Sequence, residues 1–171
     1  MIKQSGWKQR SKEDIKEIFE FCEGYKGFLD LAKTEREAAK LIENILIKKG
    51  FKNDFRHENT YMVNKGKTVF AFMRGKLPLA EGLNIIAAHI DAPRLDLKQN
   101  PLFEDVDLAL LRTHYYGGIK KYQWVAIPLA LHGVVIKADG TKVELSIGEK
   151  DGDPVFVIDD LLPHLSRKAQ D

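Results

Sequence analysis

The sequence predicts an α/β fold class, with an α/β domain over residues 1–94 followed by a β-rich domain over residues 95–171. Three observations support this assignment. Two amphipathic helical patterns lie before residue 50, a nearly continuous apolar run occupies residues 83–89, and strand patterns without a comparable helix follow residue 95. Hydrophobic residues make up 44% and charged residues 30% of the 171 residues, proportions that exclude extensive disorder.

Two helices are predicted near the amino terminus, each from a capping residue followed by an apolar stripe. Ser11 with Asp14 resembles a capping box, and Thr34 with Glu37 forms a better one. Gly50 stands where a glycine commonly ends a helix. The apolar stripes are Ile15, Ile18, Phe19 and Cys22 in the first helix and Ala38, Leu41, Ile42, Ile45 and Leu46 in the second.

A hairpin and a buried strand are predicted to follow the helices. The β-branched and aromatic residues of 61–63 and 68–73 flank a turn at residues 64–67. Residues 83–89 form an apolar run that is typical of a strand buried on both faces of an α/β sheet. These elements are too few to cover both faces of such a sheet. The domain is therefore expected to be incomplete in this chain or to be completed by partner chains.

The second half of the chain is predicted to be rich in β-strands. Residues 129–137 and 142–147 flank Asp139 and Gly140, a dipeptide that strongly favours a two-stranded hairpin. Residues 155–158 are predicted to add another strand. The change in pattern near residue 95 indicates a second domain, or an insertion carried on the first.

Charge and cysteine content narrow the function classes. Lys and Arg number 27 against 25 Asp and Glu, giving a net charge of +2, which argues against a dedicated nucleic-acid binder. The single cysteine, Cys22, excludes an internal disulfide and suits a reducing cytosol. Apolar runs fall short of the roughly 20 residues that cross a bilayer, and the first residues lack the apolar core of a signal peptide. We expect a cytoplasmic protein that binds neither nucleic acid nor membranes.

The chemistry is predicted to lie at His89 and Asp91, at the end of the apolar run. Side chains at positions i and i+2 of a strand point to the same side, and Pro93 ends regular pairing just after them. Imidazole is a natural zinc ligand, and a nearby carboxylate can fix its tautomer. A metal site is one interpretation. The other is a His and an Asp that only cap a strand end through hydrogen bonds.

The remaining histidines and acidic residues are interpreted as structural. His57 is expected on the surface, His114 on a sheet face, and His132 in an apolar strand as a satisfied core or interface residue. No glycine-rich phosphate loop or nucleophile elbow is present in the sequence. The acidic residues expected in turns are Glu104, Asp105, Asp107, Asp159 and Asp160.

Three segments resemble motifs of the M18 (aspartyl aminopeptidase) family of metallopeptidases. Residues 88–95, Ala-His-Ile-Asp-Ala-Pro-Arg-Leu, resemble its first metal-ligand motif. Residues 116–118 with Trp124 are similar to its glycine-rich stretch, and residues 162–165, Leu-Pro-His-Leu, to its later Pro-His-Leu segment. The resemblance implies a zinc-peptidase-like α/β catalytic domain, incomplete here, followed by a β-rich dimerisation domain.

The same resemblance implies an activity and roles for three residues. The family removes N-terminal residues from peptides with water activated by two metal ions, usually zinc and sometimes cobalt or manganese. It forms homo-oligomers in which dimers assemble into a dodecamer. His89 would be a metal ligand, Asp91 the carboxylate that orients the site, and His164 a residue that enters the partner subunit's active site and stabilises the tetrahedral intermediate.

Two hypotheses follow for this chain. The family supplies most of its metal ligands from segments after its β-rich domain, so the 171-residue polypeptide is expected to be inactive, or nearly so, on its own. Alternatively, the chain is a non-catalytic oligomerisation or regulatory protein that retains the β-rich interface of the family. Aromatic residues such as Trp124, Tyr115 and Tyr116 are of the type enriched at interfaces, but they could equally pack the β core.

Overall fold

The computed structural model describes residues 5–162 and 164–165 of the chain. The polypeptide forms two units, residues 1–91 and residues 92–171. Helices α1 (Lys12–Leu31) and α2 (Glu35–Lys48) and strands β1 (Asn59–Asn64) and β2 (Thr68–Met73) belong to the first unit. Strands β3 (Arg94–Asp105), β4 (Leu108–Tyr116), β5 (Leu131–Ile136) and β6 (Lys142–Ile147) belong to the second. Short 3₁₀ turns cover Gly6–Gln9, Leu79–Glu81 and Lys121–Gln123.

Both predicted helices are confirmed, together with their caps. The Ser11 hydroxyl accepts a hydrogen bond from the Asp14 backbone N–H, and the Asp14 carboxylate accepts one from the Ser11 N–H. Thr34 and Glu37 make the same reciprocal pair at the start of α2. Gly50 has φ +84°, the left-handed conformation expected of a residue that follows a helix. These caps form between residues three positions apart and need no tertiary contact, so they can be predicted from the sequence alone.

The small core of the first unit lies between α2 and the β1–β2 hairpin. Ala38 and Ala39 of α2 are buried, as are Thr60 and Tyr61 of β1. The Thr60 hydroxyl donates a hydrogen bond to the Lys52 carbonyl at 3.0 Å, so its polar group is satisfied in the core. The hairpin has the predicted strands and turn, with Asn64 paired to Thr68 in an antiparallel register.

The strand predicted for residues 83–89 is wrong for this structure. Residues 82–93 have no regular secondary structure, and Ile86 is 97% exposed. A strand buried on both faces needs neighbouring strands and covering helices, and the described residues supply none to this segment. The segment is apolar, but strand formation depends on partner strands as well as on composition.

A long antiparallel hairpin of β3 and β4 opens the second unit. Its strands pair from Arg94 opposite Tyr116 to Asp105 opposite Leu108, with an irregularity between Leu97 and Leu102. The two residues of the turn both have positive φ, +49° at Val106 and +61° at Asp107, as a type I′ turn requires. Of the acidic residues predicted to lie in a solvated turn, Asp107 does so, whereas Glu104 and Asp105 form the exposed end of β3 and pair with Ala109 and Leu108.

A second antiparallel hairpin, of β5 and β6, is present as predicted. Leu131 pairs with Ile147 at its open end, and Gly140 in the turn has φ +83°. The strand predicted at residues 155–158 is reduced to a single bridge, in which Phe156 exchanges two backbone hydrogen bonds with Leu129. The Ala126 N–H also donates to the Ile158 carbonyl at 2.9 Å, but these contacts do not extend into a continuous strand.

Candidate metal site

His89 and Asp91 contact each other at the end of the first unit. The Nδ1 atom of His89 lies 2.9 Å from the Asp91 carbonyl oxygen and 3.2 Å from the Asp91 carboxylate oxygen Oδ1. The side chain of His89 is 83% exposed and that of Asp91 is 40% exposed. The imidazole therefore faces solvent and is held by one neighbour, two residues along the chain.

The contact fixes the tautomer of the neutral ring. Both Asp91 oxygens can only accept hydrogen bonds, so Nδ1 of His89 carries the proton and donates it. Nε2 of His89 then keeps its lone pair, and this is the atom that can ligate a metal ion. A metal-binding imidazole almost always donates its other N–H to a carboxylate or a backbone carbonyl, and Asp91 provides both kinds of acceptor.

The two interpretations of this pair differ in what surrounds the ring. A histidine that only caps a strand end needs a strand, and none is formed at residues 83–89. The ring also does not turn inward among aliphatic side chains. The contact of His89 with Asp91 is compatible with a metal ligand and a residue that orients it, and these two roles stay predictions.

The next residues along the chain form a network that sequence reasoning did not identify. The Arg94 guanidinium donates from Nε to the Asp96 carboxylate at 2.7 Å and from Nη1 to the Ala92 carbonyl at 3.4 Å. Its Cζ atom lies 4.1 Å from the centroid of the Tyr116 ring, a cation–π distance. The spacing of Arg94 and Asp96 by two residues was a usable signal, because both side chains then lie on one face of a strand. The contact with Tyr116 depends on the register of β3 and β4.

His164, the third predicted site residue, lies in an exposed turn where the Leu165 N–H donates to the Leu162 carbonyl at 2.8 Å. Pro163, part of the same motif, lies outside the described residues. The role assigned to His164 by the family resemblance involves a partner subunit, so it stays a prediction.

The other histidines occupy the structural positions that were predicted for them. His132 lies in β5 with its side chain 12% exposed, and its Nε2 is 2.8 Å from the Glu149 carboxylate. His114 lies exposed on β4, and His57 is exposed near Asp54.

Within residues 5–162 and 164–165, no group of three or more His, Cys, Asp or Glu side chains could hold a metal ion. Catalytic zinc sites have three protein ligands and an open position, so such a site would need more ligands than His89 and Asp91 offer. In the described part of the chain, no helix combines the length and the apolar character needed to cross a membrane.

The sequence matches the family described as aminopeptidase I zinc metalloprotease (M18) over residues 28–171. It is 47% identical over 173 residues to a probable M18 family aminopeptidase 1 of Clostridium acetobutylicum, covering 95% of this chain and 37% of that protein. A protein of the same name from Thermotoga maritima is 49% identical over 174 residues, covering 98% of this chain and 38% of that protein. The chain thus spans just over a third of the length of these curated relatives.

Solved structures agree with the sequence comparison. The fold is similar to an M18-family aminopeptidase from Thermotoga maritima, with a TM-score of 0.85 and 50% identity, covering 98% of this chain and 38% of the other. It is also similar to aminopeptidase I from Borrelia burgdorferi, with a TM-score of 0.86 and 40% identity over 92% of this chain and 41% of the other. Mixed helices and strands arranged in this way are therefore shared with proteins of that family.

Proposed function

Since the chain belongs to the M18 family of aminopeptidase I zinc metalloproteases, we propose that it supplies one metal ligand, His89, to the active site of a metal-dependent aminopeptidase. The observation that carries the proposal is the hydrogen bond from His89 Nδ1 to the oxygens of Asp91, at 2.9 and 3.2 Å. It leaves Nε2 of a solvent-facing ring as the donor atom, in the arrangement that zinc-binding imidazoles use.

The residues present fit zinc as part of a donor set. A neutral imidazole with its second nitrogen engaged is a preferred zinc ligand, and an adjacent carboxylate raises its basicity. Zinc, when bound, polarises a peptide carbonyl and lowers the pKa of a coordinated water toward about 7. The remaining ligands and the general base would come from segments outside the described residues. Two ions, of zinc or else of cobalt or manganese, are part of the proposal.

The chain's own residues would have separate tasks in peptide hydrolysis. Asp91 holds the proton of His89 Nδ1 in place and so keeps Nε2 directed outward. His164, in its exposed turn, would donate a hydrogen bond to the oxyanion that develops in a partner subunit's site. This role requires a homo-oligomer.

Assembly into homodimers is supported by the exposed apolar side chains of the second unit. Leu102 of β3, Leu108 of β4 and Ile136 of β5 are all more than half exposed, and such side chains are enriched where subunits meet. A higher assembly of dimers, up to a dodecamer, is part of the same proposal. The single exposed Cys22 suits a reducing compartment such as the cytoplasm.

An assay of the isolated 171-residue chain tests the proposal that this chain carries only part of the active site. Aminoacyl-p-nitroanilides with added zinc or cobalt are expected to be hydrolysed at or near the background rate, because one imidazole does not hold a catalytic metal. Robust turnover that is abolished by a chelator would show that the chain contains a complete site and would overturn this part of the proposal.

A further inference from the structure

We propose that Asp151 is a site of spontaneous isoaspartate formation, a backbone modification that Asp139 of the same unit escapes. The proposal is independent of the proposed function, because it concerns a loop of the second unit and uses no residue of the candidate metal site. It is based on a comparison of the two Asp–Gly pairs of the sequence, Asp139–Gly140 and Asp151–Gly152.

An aspartate that precedes a glycine can rearrange with water as the only co-reactant. The glycine nitrogen attacks the aspartate Cγ, a new N–Cγ bond forms, and the carboxylic OH leaves with the amide proton as water. Water then adds to one of the two carbonyls of this cyclic succinimide and opens the ring. Opening at the former main-chain carbonyl leaves the glycine attached through Cγ, which is isoaspartate. Glycine favours the attack because no Cβ crowds its nitrogen.

Both reacting groups are free at Asp151 and Gly152. These residues are exposed and form the centre of a turn in which the Asp153 N–H donates to the Lys150 carbonyl at 3.0 Å. Within the described part of the chain, the Asp151 carboxylate accepts no hydrogen bond and the Gly152 N–H donates none. Neither group has to break a contact before the ring closes.

Both reacting groups are held at Asp139 and Gly140. The Thr141 N–H donates to Asp139 Oδ1 at 2.8 Å. The Gly140 N–H donates to the Lys137 carbonyl at 2.9 Å. The hydrogen bonds from Thr141 also lower the pKa of the Asp139 carboxyl, so less of it is in the protonated form from which water leaves.

Hydrogen bonding is the property that distinguishes the two pairs. All four residues are exposed, and the two glycines have similar φ values, +83° and +87°. A hydrogen bond that must break before reaction lowers the reactive fraction by about fivefold, and two such bonds lower it by about 25-fold. We therefore expect isoaspartate to form about 25-fold faster at Asp151 than at Asp139 in the folded chain.

The modification would lengthen a loop that is closed by short contacts. The Asp153 carboxylate accepts hydrogen bonds from the N–H groups of Gly148 and Lys150, at 3.1 and 3.2 Å. Isoaspartate at position 151 adds one backbone carbon between Lys150 and Asp153. The contact between these two residues therefore closes a longer path after the modification.

The test is to age the folded 171-residue chain at neutral pH for several weeks, with a parallel sample in concentrated urea. Mass spectrometry of its peptides with electron-transfer fragmentation distinguishes isoaspartate from aspartate at each position. In urea, the hydrogen bonds of both turns are lost, so the two positions should react at similar rates. Asp151→Glu should abolish the product at position 151, because its side chain would have to close a larger ring. Asp139→Glu is the matched control and should leave that product unchanged.

Three results would overturn the proposal. Equal rates at Asp151 and Asp139 in the folded chain would show that the hydrogen bonds at Asp139 do not protect it. Absence of isoaspartate at both positions would show that Asp151 is not a site. A preference for Asp151 that is equally large in urea would show that the local sequence, and not the folded structure, sets the rates.

Discussion

His89 Nδ1 lies 2.9 Å from the backbone carbonyl oxygen of Asp91 and 3.2 Å from its carboxylate oxygen. A single residue thus offers the imidazole both acceptors that zinc-binding histidines use. Because both contacts are to Nδ1, Nε2 is the ring atom that would bind a metal ion.

Asp91→Asn should weaken zinc binding without removing a ligand. The amide keeps an acceptor oxygen but loses the charge that raises the basicity of His89, and loss of such an outer partner costs about 10–100-fold in metal affinity. The measurement is zinc competition against a chromophoric chelator. It should use a chimera in which this chain replaces the matching 38% of the Thermotoga maritima relative. Asp107→Asn, in the exposed turn of β3 and β4, is the control and should leave the affinity unchanged.

Val106→Asn should stabilise the second unit. Val106 is an exposed β-branched residue with φ +49°, a conformation that costs most L-residues about 1–2 kcal/mol and that asparagine tolerates better. We expect the free energy of unfolding in urea to rise by about 1 kcal/mol. Val155→Asn replaces an exposed valine that does not have positive φ, and it should give no gain. Equal effects of the two substitutions would contradict the role of turn strain.

Gly148→Ala should destabilise the second unit. Gly148 has φ +99°, and a Cβ built on it would lie 3.1 Å from the Ala130 Cα atom, closer than most real Cβ contacts. The backbone of Ala130 cannot yield as a flexible side chain would, so we expect a loss of about 1–3 kcal/mol in urea unfolding. Gly133→Ala is the control, since no atom lies within 4 Å of the Cβ position there. A loss as large in the control would show that the effect is not specific to the close approach.

Acid should remove a stabilising contribution of Asp153. Hydrogen bonds from the backbone N–H groups of Gly148 and Lys150 hold the pKa of this carboxyl below its ordinary value. Because the folded pKa is the lower one, the contribution is present above the unfolded pKa of about 3.9 and is lost as pH falls through the folded pKa. Asp153→Asn should therefore reduce the urea midpoint more at pH 6 than at pH 3. The same reduction at both values would contradict this.

The sequence predicts those parts of the fold that are determined locally. Helix α1 begins after Ser11 and helix α2 after Thr34, because each start is stabilised by hydrogen bonds within four residues. The turn at Asp139 and Gly140 likewise depends on the conformational preferences of the turn residues alone. Such features depend only on residues that are close in sequence.

The features that the sequence did not predict correctly depend on contacts between residues far apart in the chain. The apolar run at residues 83–89 lacks neighbouring strands among the described residues, so its composition alone did not make it a strand. The β3–β4 hairpin was not identified because its turn, Val106 and Asp107, lacks the usual glycine and asparagine. In the site, His89 and Asp91 were expected to lie together on one side of a strand, and they do contact each other, but in a segment that forms no strand. The contact of Arg94 with Tyr116 required the register of two strands.

The most direct test of the central claim is the metal content and the activity of the same chimera with and without His89. We expect the chimera to bind zinc and to hydrolyse aminoacyl-p-nitroanilides. His89→Ala should lower the rate by more than about 100-fold, because even the partners of a zinc ligand cost 10–100-fold. A His89→Ala chimera that keeps both its zinc and its activity would contradict the assignment of His89 as a ligand. A folded chimera that never binds zinc would instead favour a non-catalytic oligomerisation role for this chain.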